Sequence, residues 1–342
     1  MGPISALHPA PNIYKYHRYM KRDVTTPMVV NFKLLKGHVN EEVSLAPDPN
    51  IVLDSVNHER IYMAENATRI PVREGRLRGT LFIPEGEGPF PGVVDLFGTA
   101  GGLHEYRSAQ FASRGIASLA LAYFGFEDLP KEPGEIDLSY FEEGVDYLIS
   151  HPKVKKSRVG AIGISKGADI VCSMGTYLPK VKAVVSINGL GVNAMFPMRY
   201  KDLFIPELAF RVERVKILGP DLVSGVEMVD DSEDYPETHI PMHKSDAEFL
   251  FICAKEDGNW KTVMEIERAV ARMKANGKTN YEVINYDGAG HLMEPAYAPF
   301  SVATFHRIAS IALFWGGNAK DHSDAQVDSW RRILEFFKRV LV

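Results

Sequence analysis

Apolar positions recur along this chain in two rhythms, and the change from one to the other divides it. In residues 26–35, Met28, Val30, Phe32 and Leu34 fall at every second position, the period that sets one face of a strand against a core. Gly37 ends the run, Pro and Asn clusters surround it, and no convincing helical period appears nearby. Residues 1–70 are therefore expected to form a small β module. From residue 71 the texture changes. Short apolar runs at 79–83, 91–98, 116–123, 159–164, 181–187, 248–254 and 281–286 read as strands. Helical spacing lies between and after them. One stretch is near 104–113, and one carries Leu138, Phe141, Val145 and Leu148 and ends at His151-Pro152. Another covers 168–174, and a last one sets Val327, Trp330, Leu334, Phe337 and Leu341 on one stripe. Apolar strands alternating with amphipathic helices predict an α/β domain over 71–342, with a mostly parallel sheet and helices on both faces. Residues 190–247 break the alternation, and an excursion of that length is expected to be a lid or a substrate-facing segment.

Composition narrows the function classes. With 45% hydrophobic and 24% charged residues in 342, the chain is ordinary globular protein. Its net charge of −5 argues against general nucleic-acid binding, which needs a basic excess. A local basic patch for a small anion remains compatible with it. Tyr14-Lys15-Tyr16-His17-Arg18-Tyr19 interleaves aromatic and basic residues, but on an acidic chain this reads as a strand or loop face rather than an RNA surface. The basic run from Lys153 to Arg158 reads as a solvated loop joining a helix to a strand. Neither a phosphate-cradling glycine motif nor a CxxC or HExxH metal motif occurs, so no cofactor and no metal are expected. Cys172 and Cys253 each sit in an apolar run, which suits a reducing compartment. The longest apolar stretch, residues 115–126, is shorter than the roughly 18 residues of a membrane span. No secretory pattern opens the chain, and cytoplasmic location is the resulting expectation.

The chemistry concentrates in a few loops. Gly163-Ile164-Ser165-Lys166-Gly167 is a G-x-S-x-G motif. It follows an apolar strand and enters a helical run, the setting of a nucleophile elbow. A serine nucleophile needs a base and an orienting acid, which in this architecture follow it in the order acid, then histidine. His291 lies in Gly288-Ala289-Gly290-His291, just beyond the last strand of the alternation. Asp257 follows strand 248–254, with Glu256 beside it as an alternative acid; Asp287 reads as a turn residue. An oxyanion needs two backbone donors. Lys166, next after the nucleophile, supplies one, and Thr99 in Gly98-Thr99-Ala100-Gly101-Gly102 is the favoured second.

These motifs resemble a known family. The stretches Asp95 to Arg107, Gly163 to Gly167, Phe251 to Lys261 and Gly288 to Tyr297 carry the likeness, with Phe314-Trp315-Gly316-Gly317 and Ala325 to Trp330. They resemble the type-I acyl-CoA thioesterases and bile acid-CoA:amino acid N-acyltransferases, in order and spacing, from about residue 3 to the C-terminus. The resemblance implies an α/β-hydrolase fold preceded by a β-sandwich. It implies Ser165 as nucleophile, Asp257 as acid in preference to Glu256, and His291 as base. It further implies a small-molecule acyl-CoA substrate. The N-acyltransferase branch carries Cys at the nucleophile, so Ser165 favours hydrolysis over transfer to an amino acid. The family's sandwich is usually longer at its N-terminus, so half a sandwich with exposed strand edges is expected here. Lesser departures are Ala168-Asp169, where Gly-Glu is usual, and Gly258, where His is common. A general esterase and a non-catalytic acyl-CoA binder are the rival readings.

Overall fold

The computed structural model describes residues 2–342. The expected N-terminal strand pairs as a two-stranded antiparallel ribbon of β1 (Met28–Leu35) and β2 (Val52–Arg60). Its period of two holds where the ribbon touches the body. Met28 and Val30 are buried with Val24, Tyr62 and Phe82, whereas Phe32 is half-buried and Leu34 is exposed. Val29, Leu53 and Val56 are also exposed on the ribbon. Between the strands, α1 (Glu41–Leu45) is a single turn capped by the Asn40 side chain, too short to leave a period in the sequence.

The chain then runs through β3 (Thr68–Val72), β4 (Arg78–Ile83), β5 (Phe90–Leu96), α2 (Tyr106–Ala112), β6 (Ala117–Ala122), β7 (Ile136–Asp137), α3 (Leu138–Ser150), β8 (Val154–Ile164), α4 (Lys166–Tyr177) and β9 (Val181–Ile187). Four short strands follow, β10 (Met198–Tyr200), β11 (Leu203–Ile205), β12 (Lys216–Gly219) and β13 (Leu222–Ser224). The last elements are β14 (Glu248–Ala254), α5 (Thr262–Ala275), β15 (Tyr281–Tyr286), β16 (Ala303–His306), β17 (Ile311–Phe314) and α6 (Ala319–Leu341). The main sheet has eight strands in the order β15-β14-β9-β8-β5-β6-β4-β3. Pairings from β15 to β6 are parallel, and the β6-β4 and β4-β3 pairings at one edge are antiparallel. All seven apolar runs of the sequence form strands of this sheet. β3 extends it by one strand, so the sheet takes in the last residues of the expected N-terminal module.

Successive strand residues go to opposite faces, which splits the core into two layers. Val94, Ala161, Val184 and Phe251 pack with α3, α4 and α5, through Leu138, Phe141, Ile170, Met174, Ile266 and Met273. Val93, Ile162, Val185 and Ile252 pack with α6, through Trp330, Ile333 and Phe337. The α6 stripe is rotated from the expectation. Ile333 and Phe336 are buried, Leu334 is half-buried and Val327 is exposed, because the face centred on Trp330, Ile333 and Phe337 meets the sheet.

Two readings of the sequence need correction. The basic run Lys153 to Arg158 is not a loop: β8 begins at Val154, which pairs with Phe90. Two of its four cations are held at the end of α6, where Lys155 Nζ and the Arg158 guanidinium donate to the Leu341 and Val340 carbonyls at 3.5 and 3.0 Å. Positive charge is favourable at a helix C-terminus. The excursion 190–247 does not cover the cleft at Ser165, since no residue of it lines that cleft. Leu190, Val192, Ala194 and Leu208 instead bury themselves with Trp260, β10 and β11 pair beside β7, and β12 and β13 extend a small sheet with β17 and β16.

Candidate active site

Ser165 sits at φ 57°, ψ −130°, between the end of β8 and the start of α4. A non-glycine residue at positive φ is strained and persists only where its surroundings hold it. Here Ser165 N–H donates to Ile187 O of β9 at 2.9 Å and Ser165 O accepts from Ala168 N at 2.8 Å. The two motif glycines make the bend sterically possible. A Cβ on Gly163 would collide with the Gly167 carbonyl, and one on Gly167 would lie 2.5 Å from Phe97 O.

Asp257 and His291 come from loops after β14 and β15, at the same end of the parallel sheet as the elbow, where open α/β sheets place their ligands. Asp257 Oδ2 accepts from His291 Nδ1 at 2.7 Å and from Thr262 Oγ1 at 3.0 Å. Its Oδ1 accepts from the Asn259 and Trp260 amides at 2.8 and 2.9 Å. Four donors on two oxygens suit a carboxylate. Glu256 is solvent-exposed, and Asp287 is 86% exposed in an ion pair with Lys255, so neither of these carboxylates meets His291. The His291 ring is fully buried, stacked on Trp315 at 5.4 Å and edge-on to Trp260 at 5.7 Å. With Nδ1 turned to Asp257, Nε2 is the nitrogen left without a carboxylate, and Asn259 Nδ2 lies 3.5 Å from it. No hydrogen bond joins Ser165 Oγ to Nε2 among the described residues. Contacts of this kind often tighten only when substrate binds.

The loops are tied to one another by residues that carry no motif of their own. Asn188, fully buried at the end of β9, donates to His291 O at 2.7 Å and accepts from Ala254 N at 2.8 Å. His322 of α6 accepts from Gly290 N at 3.0 Å through Nδ1, so its Nε2 proton faces Leu292 O at 3.1 Å. Trp315 O accepts from His291 N and Gly258 N, which stitches the loops of Asp257 and His291 together. Trp315 belongs to a stretch that carries the family likeness, but the polar side chains of Asn188 and His322, buried among these contacts, give no periodic or motif signal, so reading of the sequence missed both.

The Gly98-Thr99 turn lies beside Ser165, where a Cβ on Gly98 would be 2.8 Å from Ser165 Cβ. The Tyr123 hydroxyl donates to Phe97 O at 3.0 Å, and the buried Arg107 guanidinium donates to Leu96 O at 2.8 Å while pairing with Asp95. Burial pushes the Tyr123 phenol far up, so it stays a donor. No acceptor for the Thr99 or Lys166 amide occurs among the described residues. His306, absent from the sequence reading, completes this wall. Its Nδ1 accepts from Ala309 N at 3.2 Å and its Nε2 lies 3.3 Å from Thr99 Oγ1. Burial pushes the ring down to about 4, so it is neutral and its one proton is on Nε2, donating to Thr99.

Below the elbow the Lys166 side chain is fully buried, its Nζ donating to Asn193 Oδ1 at 2.9 Å and Ala194 O at 2.6 Å. Asp169 Oδ1 accepts from the Leu190 and Gly191 amides at 2.8 and 3.2 Å. Burial pushes the lysine down and the carboxyl up, and each opposes the other's shift. The pair fastens the start of the excursion beneath α4.

Ser165, His291 and Thr99 open into one cleft of about 850 Å³. Its outer wall is the aromatic-basic segment near residue 16, which brings Tyr14, Tyr16, Arg18 and Arg22 to the site. Among the described residues no His, Cys, Asp and Glu cluster is placed to hold a metal ion, and no helix is long and apolar enough to cross a membrane.

Comparison with known proteins bears on the family and the fold. The family described as "BAAT / Acyl-CoA thioester hydrolase C terminal" matches residues 136–342, and "Acyl-CoA thioester hydrolase/BAAT N-terminal region" matches residues 1–74. The peroxisomal succinyl-coenzyme A thioesterase of Mus musculus is 41% identical over 343 residues, spanning 100% of this chain and 79% of the relative. Acyl-coenzyme A thioesterase 1 of Homo sapiens is 40% identical with the same coverage. The mitochondrial acyl-coenzyme A thioesterase 2 of Homo sapiens is 39% identical over 100% of this chain and 69% of its own length. Among solved structures, the acylaminoacyl peptidase of Pyrococcus horikoshii superposes over 81% of this chain and 41% of its own, with a TM-score of 0.50 at 17% identity. A puromycin-hydrolyzing peptidase of Mycobacterium tuberculosis gives 0.51 at 16% identity, over 84% of this chain and 42% of its own. At such identities the likeness bears on the fold alone, which is the α/β-hydrolase fold. Matched end to end by relatives near 40% identity, the chain belongs to the family of acyl-CoA thioester hydrolases and bile acid-CoA:amino acid N-acyltransferases.

Proposed function

We propose that this chain hydrolyses acyl-CoA thioesters to a carboxylic acid and CoA, with Ser165 as nucleophile, His291 as base and Asp257 as the orienting acid. The observation that carries the reading is the contact of Asp257 Oδ2 with His291 Nδ1 at 2.7 Å, in a cleft that also contains a strained, elbow-held Ser165. Asp257 fixes the imidazole with Nε2 unprotonated, so that it takes the proton from Ser165 Oγ in exchange for its long contact with Asn259 Nδ2. The alkoxide attacks the thioester carbonyl, and the oxyanion is met by the Lys166 and Thr99 amides. CoA leaves as a stable thiolate, so little general acid assistance is needed at that step, and the proton that His291 took from Ser165 passes to the departing sulfur or to solvent, which leaves the imidazole neutral again. Water, deprotonated by His291, then attacks the acyl-serine, and collapse of the second tetrahedral intermediate returns Ser165 and the acid.

His306 adds to this. Because its Nε2–H donates to Thr99 Oγ1, the Thr99 hydroxyl proton is left to point elsewhere, and the cleft is where an acceptor arrives. Thr99 thus offers a hydroxyl beside its amide. The same proposal divides the chain into an N-terminal β module, residues 1–70, and a hydrolase domain, 71–342, with the excursion 190–247 as a braced insertion. It places the activity in the cytoplasm, supported by two buried free cysteines.

The test is release of free thiol from a saturated acyl-CoA series by the purified chain and by Ser165→Ala. Loss of about 10³-fold or more in kcat is expected for the variant. Turnover surviving in Ser165→Ala would overturn the assignment of the nucleophile, and N-acylglycine in place of free acid would overturn hydrolysis.

A further inference from the structure

We propose that the outer wall of the cleft binds the phosphorylated nucleotide end of a CoA thioester, with Arg22 and Arg307 meeting phosphate oxygens and Tyr14, Tyr16 and Phe305 forming an aromatic platform for the base. The inference rests on the thioesterase reading and gives the substrate's head group a place.

The first observation is charge. The protein is acidic, with a net charge of −5, yet five arginines line this cleft and Glu105 is the one acidic residue among the lining. Three of the five already have carboxylate partners: Arg18 with Glu294, Arg69 with Glu105 at 2.6 Å, and Arg73 with Glu127 at 2.5 Å. Arg22 and Arg307 have none among the described residues. Both are exposed at the rim, so their charge is unspent and open to a diffusing anion. A guanidinium presents a planar fork of donors that fits a phosphate. Arg307 also lies against Gly125, where any side chain would collide with its Nη2, so the backbone leaves that guanidinium room inside the cleft.

The second observation is the aromatic rim. Tyr14 meets Tyr16 at 5.5 Å and Phe305 at 6.5 Å between ring centroids, both edge-on. Tyr14 and Phe305 are 43% and 53% exposed. A hydrogen bond from Phe305 N to Tyr16 O at 3.2 Å ties the N-terminal segment to β16. Exposed rings held rigidly are suited to stacking on a base, whatever its identity. Asp221, the nearby carboxylate, accepts from Tyr14 Oη and is paired with Lys15 at 3.2 Å, so it does not cancel the rim cations. The cleft's 850 Å³ sits at the large end of the roughly 300–1,000 Å³ of small-molecule sites, room for more than an acyl chain. The aromatic-basic stripe that looks misplaced on an acidic chain is thereby used as a nucleotide site, not an RNA surface.

The test separates head-group binding from chemistry. Adenosine 3′,5′-bisphosphate, which carries no thioester, is titrated by calorimetry into the wild-type chain and into the double variant Arg22→Gln/Arg307→Gln. In parallel, kcat/KM is measured for an acyl-CoA and for the same acyl group on N-acetylcysteamine, which lacks the nucleotide. The expected result is bisphosphate binding that weakens about tenfold or more in the double variant and with added salt. The acyl-CoA to N-acetylcysteamine ratio of kcat/KM falls by a similar factor. Binding absent in the wild type, binding unchanged in the variant, or equal loss on both thioesters overturns the site. A wild-type chain that binds the bisphosphate with this arginine dependence but cleaves neither thioester supports the site and overturns the thioesterase reading.

Discussion

Thr99 and His306 are 207 residues apart in sequence, yet one sets what the other can do. A neutral imidazole has one N–H, and with Nδ1 taken by Ala309 N–H that proton must sit on Nε2. Thr99→Val removes the hydroxyl at nearly constant volume. It is expected to lower kcat roughly tenfold, the worth of one hydrogen bond realised in the transition state. Thr99→Ser is expected to recover most of the loss, and His306→Gln to lower kcat with little change in KM. A Thr99→Val enzyme with the wild-type kcat would remove the hydroxyl from the mechanism and leave the amide alone.

At the scale of elements, the site depends on how closely the loops of Asp257 and His291 approach. Trp315-Gly316-Gly317 passes between them, with Gly316 at φ 78° and Asp257 bridged to Gly316. A Cβ on Gly316 would collide with Glu256 O, and one on Gly317 would lie 2.5 Å from Gly290 N. Gly316→Ala must therefore spread the two loops and lengthen the Asp257–His291 contact. The expected outcome is a cost of roughly 1–3 kcal/mol in urea unfolding and a loss of about 100-fold in turnover, since small misplacements in an active site are costly. Equal stability and rate in the variant would show that the strip is not what spaces the loops.

For the whole molecule, pH reports on three buried histidines. His104, His306 and His322 are each pushed by burial from an ordinary 6.5 to about 4. Between those values the unfolded chain holds protons on all three that the folded chain does not, so stability falls as pH falls from 6.5 toward 4. The Asp169 carboxyl, raised by burial, works in the opposite sense over the same range and offsets one of the three rings, so the slope keeps the sign the histidines give it. The urea midpoint is expected to drop steadily from pH 6.5 to 4.5, and His322→Gln to flatten that slope. A flat profile would mean that these rings are protonated in the folded chain. Because His322 holds Gly290, the loss at low pH should reach the His291 loop before it reaches the sheet.

The alternation of apolar strands and helices, the elbow at Ser165 and the loop positions of Asp257 and His291 were all legible in the sequence, because each leaves a local mark. Burial on two sheet faces imposes a period, and a tight strand-to-helix bend demands Gly163 and Gly167. The choice between Asp257 and Glu256 needed more than spacing: the family resemblance preferred Asp257, and the fold turns Asp257 toward His291 and Glu256 toward solvent. What tertiary structure alone decided has no local mark. His306, Asn188 and His322 act through partners far along the chain, and a single buried polar residue looks the same in sequence wherever its partner lies. The excursion 190–247 breaks the strand-helix alternation as a lid would, but whether it packs over the cleft or beside it depends on where Lys166 and Asp169 anchor it. The aromatic-basic segment 14–19 was visible as a pattern, yet its use became readable only when β16 brought Phe305 and Arg307 beside it. Periodicity is set by solvent and a neighbouring face, whereas a site is set by which loops meet at the end of a sheet, and that is a property of the closed fold.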